Sequence, residues 1–508
     1  MWLIQALLMI LFYQESEARK NVLFIVSDDL RPEIAALYDN GAYRQMHDKM
    51  YTPHLDAFTE QSAVFKKAYV QQALCSPSRS SFMTGRRPDT TLVYNLNDYF
   101  RDVGGDFTTI PQYFKQQGYR TLGMGKIFHP GSAGGYDDPP SWSDDEPYYH
   151  SPSDLNYWMP KQFEKTWGAI NQSLEQEHPL GDQELTDNAI TTLRRLAPKA
   201  INGEENFFMA MGFRLPHLPF IFPERYFEYY PLSDIKQPSN PYVPQNMPEY
   251  AWSYNREILR YTDIGDLGLS GSPNATWPNE LVLDLRRAYY ASISYVDDLF
   301  GQVMEEVDAL GLRNNTIVMF GSDHGWNLYE HTAWGKGDNF ELSTRATLMF
   351  RAPGLTDQGL VSNHLVEFAD VYSTLVELAE LPAVPLCPLI GPIPQACTEG
   401  TSLVSLMSNP SHPGKTNVFM QYLRDSTDFG PLMGYSMRTE RYRYTEWVYF
   451  DSIISIPDWD LMFANELYDH YIDPDENVNL ADDEDYFILV ALLSDELQLG
   501  WRAALPDY

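Results

Sequence analysis

A chain of 508 residues is longer than one hydrophobic core normally supports, so one large unit and one smaller one are expected. Apolar residues at 44% and aromatic residues at 14% exclude a disordered or low-complexity chain. Seventy Asp and Glu against 36 Lys and Arg give a formal charge of −34, which argues against nucleic-acid binding and repels polyanions at long range. An anionic substrate therefore needs a locally basic mouth, and a working pH of about 5 would shrink the charge as carboxylates protonate.

Residues 2–13 are a short apolar run followed by Ser16-Glu17-Ala18, which reads as a secretory signal peptide over 1–18, although a basic start is missing. No later stretch is long and apolar enough to span a membrane. Asn21 to Val26 is a continuous apolar run, the mark of a strand buried on both faces of a parallel sheet. It ends in Ser27-Asp28-Asp29, at the strand end where open α/β sheets place their ligands; a solvated turn is the plain alternative. A short helix over 53–65 leads to Cys75. Thr109 to Gln117 reads as a helix stopped by Gly118, then comes a strand from Tyr119 to Met124, then Gly125-Lys126-Ile127-Phe128-His129-Pro130-Gly131.

From about 132 to 205, Pro, Asp, Tyr and Ser predict long loops. A strand from Asn206 to Phe213 delivers Arg214-Leu215-Pro216-His217, and 222–280 returns to Pro- and Tyr-rich loop. Leu281 to Leu310 is the longest helical pattern, with apolar residues at three- and four-residue spacing. A strand from Thr316 to Phe320 ends in Gly321-Ser322-Asp323-His324-Gly325; a strand from Ala346 to Arg351 and a helix over about 367–380 follow. This alternation predicts an α/β sheet covered by helices on both faces. Beyond a hydrophilic stretch over 408–415, alternating runs at 434–439 and 442–447 predict a hairpin. The expected division is a catalytic domain over 19–408 and a smaller C-terminal α+β unit over 409–508.

Of the three cysteines, Cys387 and Cys397 lie close together in a Pro-rich loop and form a natural disulfide in an oxidising compartment, which leaves Cys75 unpaired. Acceptor sequons at Asn171, Asn274 and Asn314 agree with the secretory pathway.

The stretch Cys75-Ser76-Pro77-Ser78-Arg79-Ser80-Ser81-Phe82-Met83-Thr84-Gly85 concentrates the chemistry. Pro77 suits the first turn of a helix, where Ser76 or Ser78 can cap free amides. Cys75 then faces a helix N-terminus that attracts an anion or favours a thiolate, and Arg79 can point at the same place. The plain alternative is a buried structural cysteine. The full string resembles the signature of the type I sulfatases. In that family the cysteine is oxidised after translation to formylglycine by a generating enzyme that reads the flanking Pro and Arg, so Cys75 is implied to be a precursor. A serine attacking a sulfate ester would be left as a stable ester itself. A hydrated aldehyde has two hydroxyls on one carbon: one attacks sulfur, and deprotonating the other expels sulfate.

Two strand ends carry hard ligands, Asp28 and Asp29 at one and Asp323 and His324 at the other, an oxygen-rich set that suits Ca²⁺ or Mg²⁺ better than Zn²⁺. The resemblance implies one Ca²⁺, with modified Cys75 as a further ligand and His324 either on the metal or on the sulfate. It also implies catalytic roles for Lys126 and His129 in Gly-Lys-x-x-His, for His217 in Pro-His, and for Lys336 downstream of Asp-His-Gly. Lys126 and Arg79 would hold the aldehyde hydrate and His129 would take the proton. Lys336 and His217 would bind sulfate oxygens and protonate the leaving alcohol, with activity falling above a pH of about 6 as the histidines lose protons. His331 has no match and is read as structural.

The fold implied is the alkaline-phosphatase-like one, with a large mixed sheet. Segments 125–131, 216–220, 322–326, 434–439 and 442–447 resemble the sulfatases that act on 2-O-sulfated iduronate at the ends of heparan or dermatan sulfate, lysosomal or secreted enzymes. Arg214-Leu215 departs from their usual His-Lys, and an extra cysteine pair of some relatives is absent from 150–185. The alternatives are a sulfatase for another sulfated sugar, or an inactive sulfatase-like glycan-binding protein.

Overall fold

The computed structural model describes residues 19–34, 46–47, 50–152, 164–273, 275–425 and 427–506; the expected signal peptide and Asn274 lie outside them. Seven strands form the main sheet: β1 (Asn21–Ser27), β2 (Ala63–Tyr69), β3 (Arg120–Gly125), β4 (Phe207–Phe213), β5 (Thr316–Ser322), β6 (Leu348–Arg351) and β7 (Leu360–Glu367), in the order β7-β2-β6-β5-β1-β4-β3. Only β6 runs against its neighbours β2 and β5, so the sheet is mixed. Antiparallel neighbours need no crossover helix. The chain from Asp323 to Thr347 can therefore turn back at the end of β5 and keep its side chains near that end.

Every residue of β1, β4 and β5 is buried, as their unbroken apolar runs require. On one face Leu23 and Ile25 share a core with α1 (Pro53–Thr59), α4 (Gly181–Ile201) and α5 (Asn279–Ala309). On the other, Val22, Phe24 and Val26 share one with α2 (Cys75–Thr84), α3 (Ile110–Gln116) and α6 (Asp370–Leu378). Thr109 closes a capping box with Gln112 at the start of α3, and Pro111 sits in its first turn.

Three sequence expectations are corrected. The helix expected over 53–65 ends at Thr59, and Ala63–Tyr69 is a strand whose character Lys66-Lys67 hides. Gly181–Ile201, expected as loop, is a helix of 21 residues. Its core face of Leu185, Ala189, Leu193 and Leu196 is diluted by small and polar neighbours, and Pro198 lies inside its last turn. The edge strand β7 was not foreseen, because half of its residues face outward and its pairing with β2 shifts register midway.

A second, antiparallel sheet of β8 (Val418–Arg424), β9 (Leu432–Arg438), β10 (Tyr442–Asp451) and β11 (Ile456–Asp469) follows in chain order, with α7 (Phe487–Leu499) packed on it through Leu493 and Leu497. The expected hairpin is β9–β10, with Gly434 opposite Trp447. We place the division between the units at the hydrophilic segment ahead of β8. Glu341 of the large unit meets Arg443 at 2.6 Å, and Arg443 meets Glu476 at 2.5 Å, all buried.

Cys387 and Cys397 are disulfide-bonded. Their loop grips the end of α2: Arg86 donates to the carbonyls of Pro394 and Gln395 at 2.8 Å, and Glu399 N donates to Gly85 O at 2.7 Å.

Candidate active site

Register brings the strand ends level. Ser27 lies opposite Phe213 and Ser322, and Gly125 lies opposite Gly212, so β1, β3, β4 and β5 release their chains along one edge. Asp28-Asp29, Lys126, Arg214 to His217, and Asp323-His324 emerge there. Asp29 has φ 62°, a left-handed conformation that costs a non-glycine residue about 1–3 kcal/mol. Its N–H donates to Asp323 Oδ1 at 3.0 Å, and its carbonyl accepts from Tyr289 Oη at 2.7 Å, which holds it there. Gly212 has no room for a side chain, since a Cβ would lie 2.0 Å from the carbonyl oxygen of Lys126.

α2 begins at Cys75, which is 2% exposed, with Sγ 3.4 Å from His324 Nε2 and 3.7 Å from Lys126 Nζ. The expected serine cap is absent: Leu74 is the cap residue, and Ser78 Oγ donates to the carbonyl of Asp323. Burial pushes the Cys75 thiol well up, and the Lys126 and Lys336 ammonium groups do not reverse that.

Arg79 is fully buried and donates to Asp28 (2.7 Å), Asp323 (3.0 Å), and the carbonyls of Lys126 and Ile127 (3.0 Å). Four of the five guanidinium N–H groups are thus committed to the protein. Lys126 Nζ reaches both Asp28 (2.5 Å) and Cys75. Lys336 Nζ lies 2.9 Å from both oxygens of Asp29 and over the Trp326 ring.

Asp28, Asp29, Cys75 and His217, and likewise Asp29, Cys75, Asp323 and His324, each offer ligand atoms within 4.8 Å of one another. This donor set fits a hard divalent cation. His324 Nδ1 donates to Gly325 O at 2.9 Å, which leaves the Nε2 lone pair facing Asp29 Oδ1 (3.4 Å) and Asp323 Oδ2 (3.5 Å). Burial pushes the Asp29 carboxyl well up, and Asp28, Glu257 and Asp323 add to that against Lys336. Asp28 goes the other way, because Lys126 and Arg79 overcome its burial. The cluster is short of positive charge on the Asp29 side, where a cation would supply it.

His217 Nδ1 donates to Leu218 O at 2.6 Å, and its Nε2 lies 3.3 Å from Glu257 and 4.0 Å from Asp29. His129 Nδ1 donates to Pro130 O at 3.1 Å, and the residue lines the same cavity as Cys75. Burial, then Lys126, pushes His129 down to about 4, and burial with Lys126 and Lys336 pushes His217 well down. The expectation that these imidazoles lose protons near pH 6 is therefore corrected: both are already neutral there. That suits His129 as a base, and it leaves His217, whose Nδ1–H is held by Leu218 O, with an acceptor at Nε2.

Glu257 escaped sequence reasoning. It joins Lys336 (3.1 Å) to His217 (3.3 Å) from a Tyr- and Pro-rich loop in which nothing marked it. His331 is buried, with Nε2 2.8 Å from Asp475 O, in keeping with a structural role. The sequon residues Asn171 and Asn314 are exposed. The site floors a cavity of about 1160 Å³ that also receives Trp252, Tyr254, Tyr422 and Arg424.

An α/β sheet whose strand ends gather buried carboxylates, lysines and a cysteine at a helix start defines a hydrolase of anionic esters. The sulfatase family model matches residues 20–381, and the chain belongs to the sulfatase family. It is a sulfuric ester hydrolase. It is 35% identical to the iduronate 2-sulfatase of Mus musculus, covering 92% of this chain and 91% of that protein. To the iduronate 2-sulfatase of Homo sapiens it is 36% identical, covering 91% of each. Among solved structures, a 2-O GAG sulfatase matches with a TM-score of 0.66 at 20% identity, over 95% of this chain and 92% of that one. The phosphonate monoester hydrolase of Agrobacterium radiobacter matches with a TM-score of 0.70 at 20% identity, over 95% of each. These two share the fold.

Proposed function

We propose that this sulfatase removes the 2-O-sulfate from a terminal iduronate of heparan or dermatan sulfate, with Cys75 converted to formylglycine by a generating enzyme during secretion. The observation that carries this reading is Cys75 at the start of α2, with Asp28, Asp29, Asp323, His324, Lys126 and His217 around it, in a chain about a third identical to two iduronate 2-sulfatases. We assign Asp28, Asp29, Asp323, His324 and the modified residue 75 to one divalent cation, Ca²⁺ by the oxygen-rich donor set. Such a cation supplies Lewis-acid polarisation of the sulfate ester and offsets charge that develops in the transition state.

The chain's own residues do the rest. Lys126 holds the oxygen at position 75, and Arg79 keeps Asp28 and Asp323 in place behind it. Lys336 takes sulfate oxygens, and His217 Nε2 accepts a hydrogen bond from a substrate hydroxyl. Neutral His129, its Nδ1 fixed on Pro130 O, presents Nε2 as the base that frees sulfate. The substrate enters by a chain end, since the charge of −34 disfavours threading a long polyanion. A lysosomal or secreted location fits the leader-like start, the disulfide and the exposed sequons Asn171 and Asn314. No helix among the described residues is long and apolar enough to cross a membrane.

Turnover of disaccharides tests the substrate. A terminal 2-O-sulfated iduronate should be desulfated faster than a 6-O-sulfated glucosamine or the internal sulfates of intact heparan sulfate. The reverse order would remove the iduronate assignment and leave the sulfatase standing.

A further inference from the structure

The reading above gives Lys336 to the sulfate and His217 to a substrate hydroxyl, and a carboxylate stands between the two. Glu257 Oε2 lies 3.1 Å from Lys336 Nζ, and Glu257 Oε1 lies 3.3 Å from His217 Nε2. Burial would raise this carboxyl, but Lys336 holds it at about 2, so it is an anion. Among the described residues Lys336 is also its only donor: with Nδ1–H held by Leu218 O, His217 turns a lone pair toward it. A sulfate that takes Lys336 therefore leaves the charge of Glu257 bare.

The carboxylate cannot move far from that anion. Asn255, buried at φ 51°, accepts from Trp334 N at 2.7 Å and donates to Thr332 O at 3.1 Å, which fixes the turn to the segment that carries Lys336. Ile258, on the other side of Glu257, is buried in the core. With the backbone set on both sides, the side chain can swing within the cavity but stays beside whatever Lys336 holds. Nor does the proposed cation need it, since Glu257 is in neither group of residues able to share one. Of the acidic residues that line the cavity, only Glu257 pairs with Lys336 or His217 among the described residues.

Charge counting shows what it does there. Arg79, Lys126, Lys336 and a divalent cation carry five positive charges against Asp28, Asp29, Asp323 and Glu257, a surplus of one. A sulfate ester carries one negative charge, and a phosphate ester carries close to two at neutral pH. We propose that Glu257 sets the preference of this enzyme for a monoanionic sulfate ester over the dianionic phosphate ester of the same alcohol. It repels both anions, and the dianion twice over. At about 6 Å, in an effective dielectric between those of protein and water, each further charge costs about tenfold in affinity. Without Glu257 the surplus would be two, which suits the dianion. The proposal rests on the reading of Lys336 as a sulfate ligand.

The test compares an aryl sulfate with the phosphate of the same phenol at about pH 7 in the presence of Ca²⁺. In the full-length enzyme, Glu257→Gln should lower the sulfate-to-phosphate ratio of kcat/KM by about tenfold. The ratio of the two dissociation constants, measured by calorimetry on a Cys75→Ala background that lacks the reacting side chain, should shift by the same factor. Damage to the fold lowers both esters together and leaves the ratio where it was. Glu249→Gln removes a cavity carboxylate that is bonded by the Tyr254 hydroxyl, and should move the ratio by less than about threefold. An unchanged ratio in Glu257→Gln, or an equal fall in Glu249→Gln, would overturn the proposal. If Lys336→Gln leaves the dissociation constant of the aryl sulfate unmoved, the reading of Lys336 falls and the proposal with it.

Discussion

Arg79→Met removes the cation that joins three strand ends. In the native protein this side chain bonds Asp28 and Asp323 and the carbonyls of Lys126 and Ile127, with no exposed surface. Methionine has a similar length but leaves two carboxylates without their fully buried partner, and breaking one side of a buried ion pair costs about 3–5 kcal/mol. Against a total stability of about 5–15 kcal/mol that is a large fraction. Arg79→Lys keeps the charge but cannot span four acceptors, and should cost about 1–3 kcal/mol through the carbonyls and carboxylate it abandons. Under the modification of Cys75 proposed above, either change also alters the residues beside that cysteine, so activity would fall for two reasons at once. Stability separates them if both variants are built on Cys75→Ser, which removes the thiol, and unfolded in urea with tryptophan fluorescence as the probe. The ordering expected is parent, then Lys, then Met. An Arg79→Met protein within about 1 kcal/mol of its parent would refute the argument that this guanidinium holds the carboxylates together.

Gly212→Ala would place a Cβ 2.0 Å from the backbone oxygen of Lys126, so Lys126 must move. An ångström of misplacement costs about 10²-fold, and aryl sulfate turnover should fall by that order while circular dichroism stays native. Burial would raise the Glu367 carboxyl, but Arg87 and Lys415 hold it at about 2; Arg31 and Arg286 do the same for Glu330. A depressed folded value means their stabilisation is whole above the ordinary carboxylate range of about 4.5 and is lost as pH falls through about 2. Urea midpoints should therefore be level between about pH 5 and 7 and drop steeply below about pH 3, and Glu367→Gln should lower the plateau. With His129 pushed down to about 4, kcat should hold as pH falls to about 5 and decline only as that base protonates. A loss of kcat centred at pH 6 to 7 on the acid side would contradict the assignment of His129.

Much of the large unit was legible because its strands are buried on both faces and read as unbroken apolar runs. Those of β1, β4 and β5 each end in the residues that reach the site. The cysteine stretch and the Asp-Asp and Asp-His pairs could be read for the same reason, since each sits directly after or beside such an element. What escaped reading lacks a local signal. In the helix Gly181–Ile201 small and polar residues dilute the leucines of the core face, and β7 is an edge strand. Glu257 matters only because folding brings Lys336 and His217 to it across the chain. The protonation of the histidines was misjudged because their pKa values are set by burial and then by the lysines beside them, which spacing along the chain does not show.

The central claim is that residue 75 acts as formylglycine, and peptide mass spectrometry of the enzyme from a eukaryotic secretory host tests it most directly. The tryptic peptide over residues 68–79 should have lost the thiol sulfur, carry an aldehyde that reacts with hydrazide, and be modified in a fraction that tracks specific activity from one preparation to the next. Full activity in a preparation whose Cys75 remains an unmodified thiol would contradict the account.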